Sequence, residues 1–144
     1  MRVNMEISRM KTNLRTSLLI LFFSVFFSST SAFAGMKDTQ FTEQAWKNAQ
    51  ANNQLTLIVV HADWCPTCKA QEKILNAYFQ DYPYSKIHPL IIDFDTQKDW
   101  ATHFKAPRQS TLILYKGDKP IWFRVAETNK DKIYQVLKNA EGDA

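Results

Sequence analysis

The chain is short of the residues that mark extended or unfolded architectures. Its 3 glycines and 5 prolines in 144 residues exclude a collagen-like repeat and a low-complexity linker. Hydrophobic residues make up 45% of the chain and charged residues 22%, the proportions of an ordinary folded domain, and the length fits one such domain. A basic surplus is also missing where it would matter. The formal charge is +4, yet Arg2, Arg9, Lys11 and Arg15 all precede residue 35, where they meet only Glu6. From residue 35 onward there are 14 basic and 13 acidic residues. That balance supplies no electrostatic footprint for phosphate contacts, so nucleic acid is excluded as a partner.

No apolar run is long enough to cross a bilayer. The run from Leu18 to Phe27 (LLILFFSVFF) holds ten residues, whereas a spanning helix needs roughly 20. It follows a basic stretch ending at Arg15 and precedes SSTS and Ala32-Phe33-Ala34. A basic n-region, a short apolar core and an A-x-A site are the parts of a secretory signal peptide. The expectation is a signal peptide over residues 1–34, cleaved after Ala34 and directing export to a bacterial periplasm, with one domain over residues 35–144. An uncleaved anchor is the competing reading, and the run is too short for it.

The remaining residues show no internal repeat and no charged block, so apolar periodicity assigns the elements. Thr42 is placed to cap a helix (EQAWKNAQANN) whose Ala45, Trp46 and Ala49 share a face. The β-branched run from Leu55 to Val60 predicts a strand buried on both faces. A helix opens at Cys65 and runs to about Tyr82, where Pro83 stops it, with Ile74, Leu75, Tyr78 and Phe79 as its buried stripe. Leu90 to Phe94 predicts a second buried strand, followed by a short helix around Asp99 to Phe104. Two further strands, Thr111 to Tyr115 and Ile121 to Val125, bracket Lys116-Gly117-Asp118-Lys119 as a hairpin. A last helix starts at Thr128, with Asp131 completing a capping-box-like start and Ile133, Val136 and Leu137 inward. This order predicts an α/β layer, a central mixed sheet with helices on both faces.

The chemistry concentrates at Trp64-Cys65-Pro66-Thr67-Cys68, between a buried strand and a helix, and these are the only two cysteines in the chain. Sulfurs at i and i+3 on a first helical turn can close a small disulfide with little backbone movement, and an exported protein meets an oxidising compartment. So small a ring constrains little of the unfolded chain, which favours reversible redox use over a structural staple. At the helix N-terminus, free N–H groups and the dipole stabilise a thiolate on Cys65, the attacking sulfur. Pro66 fits the first helical position because its missing N–H had no partner there. Cys68, one turn further in, would resolve the mixed disulfide by attacking Cys65.

These residues resemble the thioredoxin family over nearly all of the chain past residue 35. The resemblance rests on LTLIVVHADWCPTCKAQ, with Trp64 before the first cysteine and Lys69 after the second, on DFDTQ, and on STLILYKGDKPI. It implies a thioredoxin fold and thiol-disulfide exchange on cysteine-containing protein substrates. It also implies no required cofactor, a monomer, and a membrane or soluble redox partner that recharges the pair. Trp64, Pro66, Gln109 and Ser110 would form the substrate groove. Three positions depart from the family. Its buried Asp, six residues before the first cysteine, is Val59 here, and the accompanying Lys aligns with Ile91. That removes the usual proton acceptor, leaving His61, Asp63 or water for the role. The family's cis-proline aligns with Ser110, so the Gln109–Ser110 bond is either trans, with an altered groove, or held cis at about 3 to 4 kcal/mol. A three-residue shift of the loop would instead bring in Pro107.

A different class of function uses the same sulfurs. Cys65 and Cys68 are soft ligands suited to Cu(I) or Zn, with His61 as a third, which would make a metal-binding or metal-delivery protein. No second CxxC supports this, and His88, in an expected loop, and His103, on a polar helix face, lack ligand spacing to the cysteines. A catalytically dead binding module is disfavoured by the intact cysteine pair. Trp46, Trp100 and Trp122 read as packing residues. Asp93 and Asp95 read as solvated strand-end carboxylates, and the redox assignment stands first.

Overall fold

A computed structural model describes residues 39–142. The expected signal peptide lies outside the described residues. The elements run α1 (Glu43–Ala51), β1 (Leu55–His61), α2 (Pro66–Asp81), β2 (Ile87–Asp93), α3 (Lys98–His103), β3 (Thr111–Lys116), β4 (Lys119–Val125) and α4 (Lys130–Gly142). The strands form one mixed sheet in the order β2-β1-β3-β4. β2 lies parallel to β1, while β3 is antiparallel to both β1 and β4. The expected α/β architecture is therefore present.

β1 is central, and six of its seven residues are buried, as its β-branched composition requires. Its alternating side chains feed two cores. Leu55, Leu57 and Val59 pack with Leu75 and Tyr78 of α2, Leu112 and Leu114 of β3, and Ile133 and Leu137 of α4. Ile58 and Val60 face the other way, against Phe41, Trp46, Ile92, Ala101, Phe104 and Ile113. So α2 and α4 cover one face of the sheet and α1 and α3 the other. Two reciprocal bonds tie α2 to α4: the Tyr78 hydroxyl donates to Glu141 Oε2 at 2.7 Å, and the Tyr134 hydroxyl donates to Asp81 Oδ2 at 2.9 Å.

Several boundaries differ from the sequence reading. β2 starts at Ile87 instead of Leu90, carries His88 on a strand instead of a loop, and alternates between buried and exposed positions. It lies at one end of the sheet order, where a proline such as Pro89 is tolerated because an edge does not need every N–H in the ladder. Residues 39–41 meet this strand: Ile91 N–H donates to Thr39 O and Phe41 N–H donates to Ile91 O. β4 begins at Lys119, so the hairpin loop shrinks to Gly117 and Asp118. Gly117 has a φ of 58°, and a Cβ there would meet Asn53 Oδ1 at 2.6 Å, which explains the glycine. α4 begins two residues after Thr128, and its first-turn N–H, that of Lys132, is accepted at 3.0 Å by Asn129 Oδ1. Asparagine is the better cap. At α1 the expected cap forms, with Thr42 Oγ1 accepting from Ala45 N–H at 3.1 Å.

Leu137 is fully buried between α4, α2 and the sheet. Truncation to alanine leaves a cavity that this three-sided packing cannot close, and Leu137→Ala is expected to lower unfolding free energy by about 2–5 kcal/mol in urea titration, with an unchanged m-value.

Candidate functional site

The site forms where β1 runs out of the sheet. Ala62 ends the buried stretch, Cys65 N–H donates back to Ala62 O at 3.1 Å, and the chain turns directly into α2. Cys65 is the N-cap of that helix: its backbone is extended and its sulfur accepts from Cys68 N–H at 3.2 Å. Pro66 takes the first helical position, as its missing N–H allows. Both cysteines are free thiols, 4% and 2% exposed, and they pack with Ala62 and Phe94. Trp64 is 59% exposed beside them, and its indole N–H donates to Asp95 Oδ2 at 2.8 Å. Asp95 is presented by a turn in which Asp93 Oδ1 accepts from the N–H groups of Asp95 and Thr96. The two carboxylates thus hold a turn and a tryptophan.

Facing the sulfurs is Ser110, the residue immediately before β3. No cis peptide bond occurs among the described residues, so Gln109–Ser110 is trans and the shifted alignment on Pro107 is not adopted. Ser110 instead takes a left-handed backbone, with φ at 62°, a conformation a non-glycine residue keeps only when its surroundings over-determine it. They do so here. Ser110 N–H donates to Val60 O at 2.8 Å, and Ser110 O accepts from Ala126 N–H at 2.8 Å and from Gln71 Nε2 at 3.1 Å. So held, the Ser110 hydroxyl oxygen lies 3.1 Å from Cys65 Sγ and 3.2 Å from Cys68 Sγ. Of the other residues expected in the groove, Pro66 is exposed and Gln109 half-buried, while Ser110 is buried beneath the sulfurs.

Gln71 was not singled out by the sequence reading. It is 1% exposed, and its amide also donates to Glu127 O at 3.0 Å. Since both partners are carbonyls, the nitrogen must face them, which leaves Oε1 buried without a partner. The available signal was its spacing: Cys68, Gln71, Leu75 and Tyr78 are the buried positions of α2, and a polar residue on that stripe needs a reason to be there.

The sulfurs are electrostatically unequal. Burial pushes the Cys65 thiol up, but hydrogen bonds from the Cys68 side chain, the Ser110 hydroxyl and the N–H groups of Cys68 and Thr67 outweigh it and hold Cys65 below the ordinary 9.0. For Cys68, burial comes first and the hydrogen bond with the Cys65 sulfur adds to it. Ser110 and the Ala62 backbone offset only part, and Cys68 stays above 9.0. Val59 and Ile91, at the positions of the family's buried charged pair, are directly paired across β1 and β2, so the apolar replacement is mutual. His61 Nε2 lies 3.4 Å from Asp63 Oδ1, and among the described residues no group of three His, Cys, Asp or Glu is placed to hold a metal ion.

Residues 37–139 match the family model for thioredoxin. The thioredoxin of Chlamydia muridarum is 31% identical over 83 residues, covering 58% of this chain and 79% of that one. Thioredoxin-1 of Saccharomyces cerevisiae is 28% identical, over 69% of this chain and 94% of that one. The crystal structure of Trxlp from Edwardsiella tarda superposes with a TM-score of 0.65 at 33% identity, covering 69% of this chain and 97% of that one.

The inequality of the sulfurs has a direct readout. Alkylation of reduced protein by iodoacetamide is expected to modify Cys65 first, with a rate that reaches its plateau below the pH at which an ordinary thiol does, while Cys68 reacts only above it. Peptide mass mapping across pH checks both; equal titration of the two would contradict the hydrogen-bond assignment.

Proposed function

Because the chain belongs to the thioredoxin family, we propose that Cys65 and Cys68 are the redox couple of an exported protein thiol-disulfide oxidoreductase that works as a reductant. The observation that carries this reading is the position of Cys65 Sγ as the cap of α2, accepting from Cys68 N–H. A sulfur so placed is stabilised as the thiolate, the form that attacks. The Cys65 thiolate attacks one sulfur of a substrate disulfide; a Cys65–substrate bond forms, and the other substrate sulfur leaves with the electron pair. Cys68 gives up its proton and attacks Cys65, closing the Cys65–Cys68 disulfide and releasing the second substrate thiol. Two electrons pass to the substrate, and a separate redox partner must return them before the next cycle. Exposed Trp64 and Pro66, together with Gln109, offer the surface on which a substrate strand docks. The reductant direction is supported by the likeness to thioredoxins, and the periplasmic location by the N-terminal pattern of basic stretch, apolar run and Ala-Phe-Ala.

Cys65→Ser is expected to abolish insulin reduction, while Cys68→Ser is expected to accumulate a mixed disulfide with an insulin chain, visible by non-reducing mass analysis. Expression of the full chain in a Gram-negative host is expected to yield a periplasmic species beginning at Gly35. Normal turnover by Cys65→Ser would reject the assignment of the nucleophile.

A further inference from the structure

Resolution requires Cys68 to lose a proton in a site where the family's acid has been replaced by Val59. Val59 is 3% exposed and packed in the core with Leu75 and Leu112, so it gives a proton no route. The titratable neighbours are occupied elsewhere or turned outward. His61 lies at Asp63, and Asp63 is fully exposed. Asp95 accepts from Trp64, and Asp93 Oδ1 accepts from two backbone N–H groups. On the opposite side, Glu127 Oε1 accepts from Asn129 N–H at 2.9 Å, while Lys69 of α2 and Arg108 of the facing loop are exposed. Among the described residues, one side chain reaches both sulfurs: the hydroxyl of Ser110, at 3.1 Å and 3.2 Å.

A hydroxyl carries one hydrogen, so it can donate to only one of the two sulfurs at a time. Cys65 Sγ is already an acceptor, taking Cys68 N–H. In the reduced site the hydroxyl can serve the Cys65 sulfur; once Cys65 Sγ is bonded to a substrate sulfur it carries no charge, and the same hydroxyl can turn its hydrogen to Cys68 Sγ at 3.2 Å. We propose that the Ser110 hydroxyl activates the resolving sulfur, donating its hydrogen to Cys68 Sγ and so stabilising the thiolate that attacks Cys65. This rests on the redox function proposed above. As Cys68 Sγ bonds to Cys65 Sγ, the bond from Cys65 to the substrate sulfur breaks and that sulfur departs with the electron pair. The Cys68 proton passes to solvent, the departing sulfur takes one from solvent, and the Ser110 hydroxyl keeps its own hydrogen throughout. Gln71 is the positioning residue: it holds the Ser110 carbonyl and the Glu127 carbonyl together, which fixes the left-handed backbone that aims Oγ at the sulfurs.

The test is a single-turnover reaction of reduced protein with insulin, quenched in acid, with dithiol, insulin-linked and intramolecular disulfide forms counted by intact mass across pH. Wild type is compared with Ser110→Ala and with Ser110→Gly, the second of which removes the hydroxyl while relieving the positive φ. Both variants are expected to slow the second step by about tenfold near neutral pH, the loss of one charge-assisted hydrogen bond. The insulin-linked form should then accumulate, and the deficit should shrink as rising pH lets Cys68 ionise without help. A deficit of the same size at every pH would make Ser110 a packing residue and overturn the proposal. Variant rates equal to wild type would overturn it as well. A wild-type protein that never forms the intramolecular disulfide would instead defeat the parent proposal, so the two failures are distinguishable.

Discussion

The sulfur of Cys65 serves as the helix cap where serine, threonine, aspartate or asparagine usually stands, and the rest of the site is arranged around that substitution. A cap must sit at the last extended residue before the helix. The reactive atom is therefore fixed by where β1 stops and α2 begins, not by its own packing. β1 is buried through Val60 and cannot slip without turning its alternating side chains into the wrong core. α2 is anchored by Leu75 and Tyr78 against the same sheet. Between two immobile elements the short turn through Trp64 has little freedom, and Cys68, one helical turn on, comes to the same place.

The fold was legible where side-chain periodicity is strong. The run over β1, the Leu75 and Tyr78 positions of the α2 stripe, and the hairpin signal at Gly117 each depend on local sequence, and each formed, whereas Ile74 and Phe79 of the same expected stripe are half-buried. Boundaries failed where tertiary context outweighed local signals. The apolar run placed the start of the second strand at Leu90, but a strand at the end of the sheet order accepts Pro89, and the pairing extends back to Ile87. Thr128 and Asp131 suggested a cap, but Asn129 Oδ1 is the atom that meets the first-turn N–H.

The two cysteines and exposed Trp64 were equally plain, because a CxxC motif between a buried strand and a helix carries its chemistry in the spacing. The hydroxyl at the sulfurs was not. Ser110 stood out only as a departure from a family pattern, and its role depends on the antiparallel register that sets Thr111 opposite Val60, a contact between residues about fifty apart in the chain. Gln71 was hidden for a similar reason. Its two acceptors, Ser110 O and Glu127 O, flank the β3–β4 hairpin and meet at its open end, and nothing local to α2 announces them. The apolar pair Val59 and Ile91 and the hydroxyl of Ser110 are consistent with each other: a site without a buried carboxylate sets a neutral hydroxyl beside its sulfurs instead, with no buried carboxylate charge to compensate.

Equilibrium redox titration of the dithiol, acid-quenched and read by intact mass, tests the central claim most directly. A single reversible two-electron couple joining Cys65 to Cys68, with a potential of about −270 mV as for a thioredoxin, is the expected result. A pair that stays reduced under oxidising buffer would contradict the assignment of a redox couple, and a potential nearer to about −120 mV would contradict a reductant.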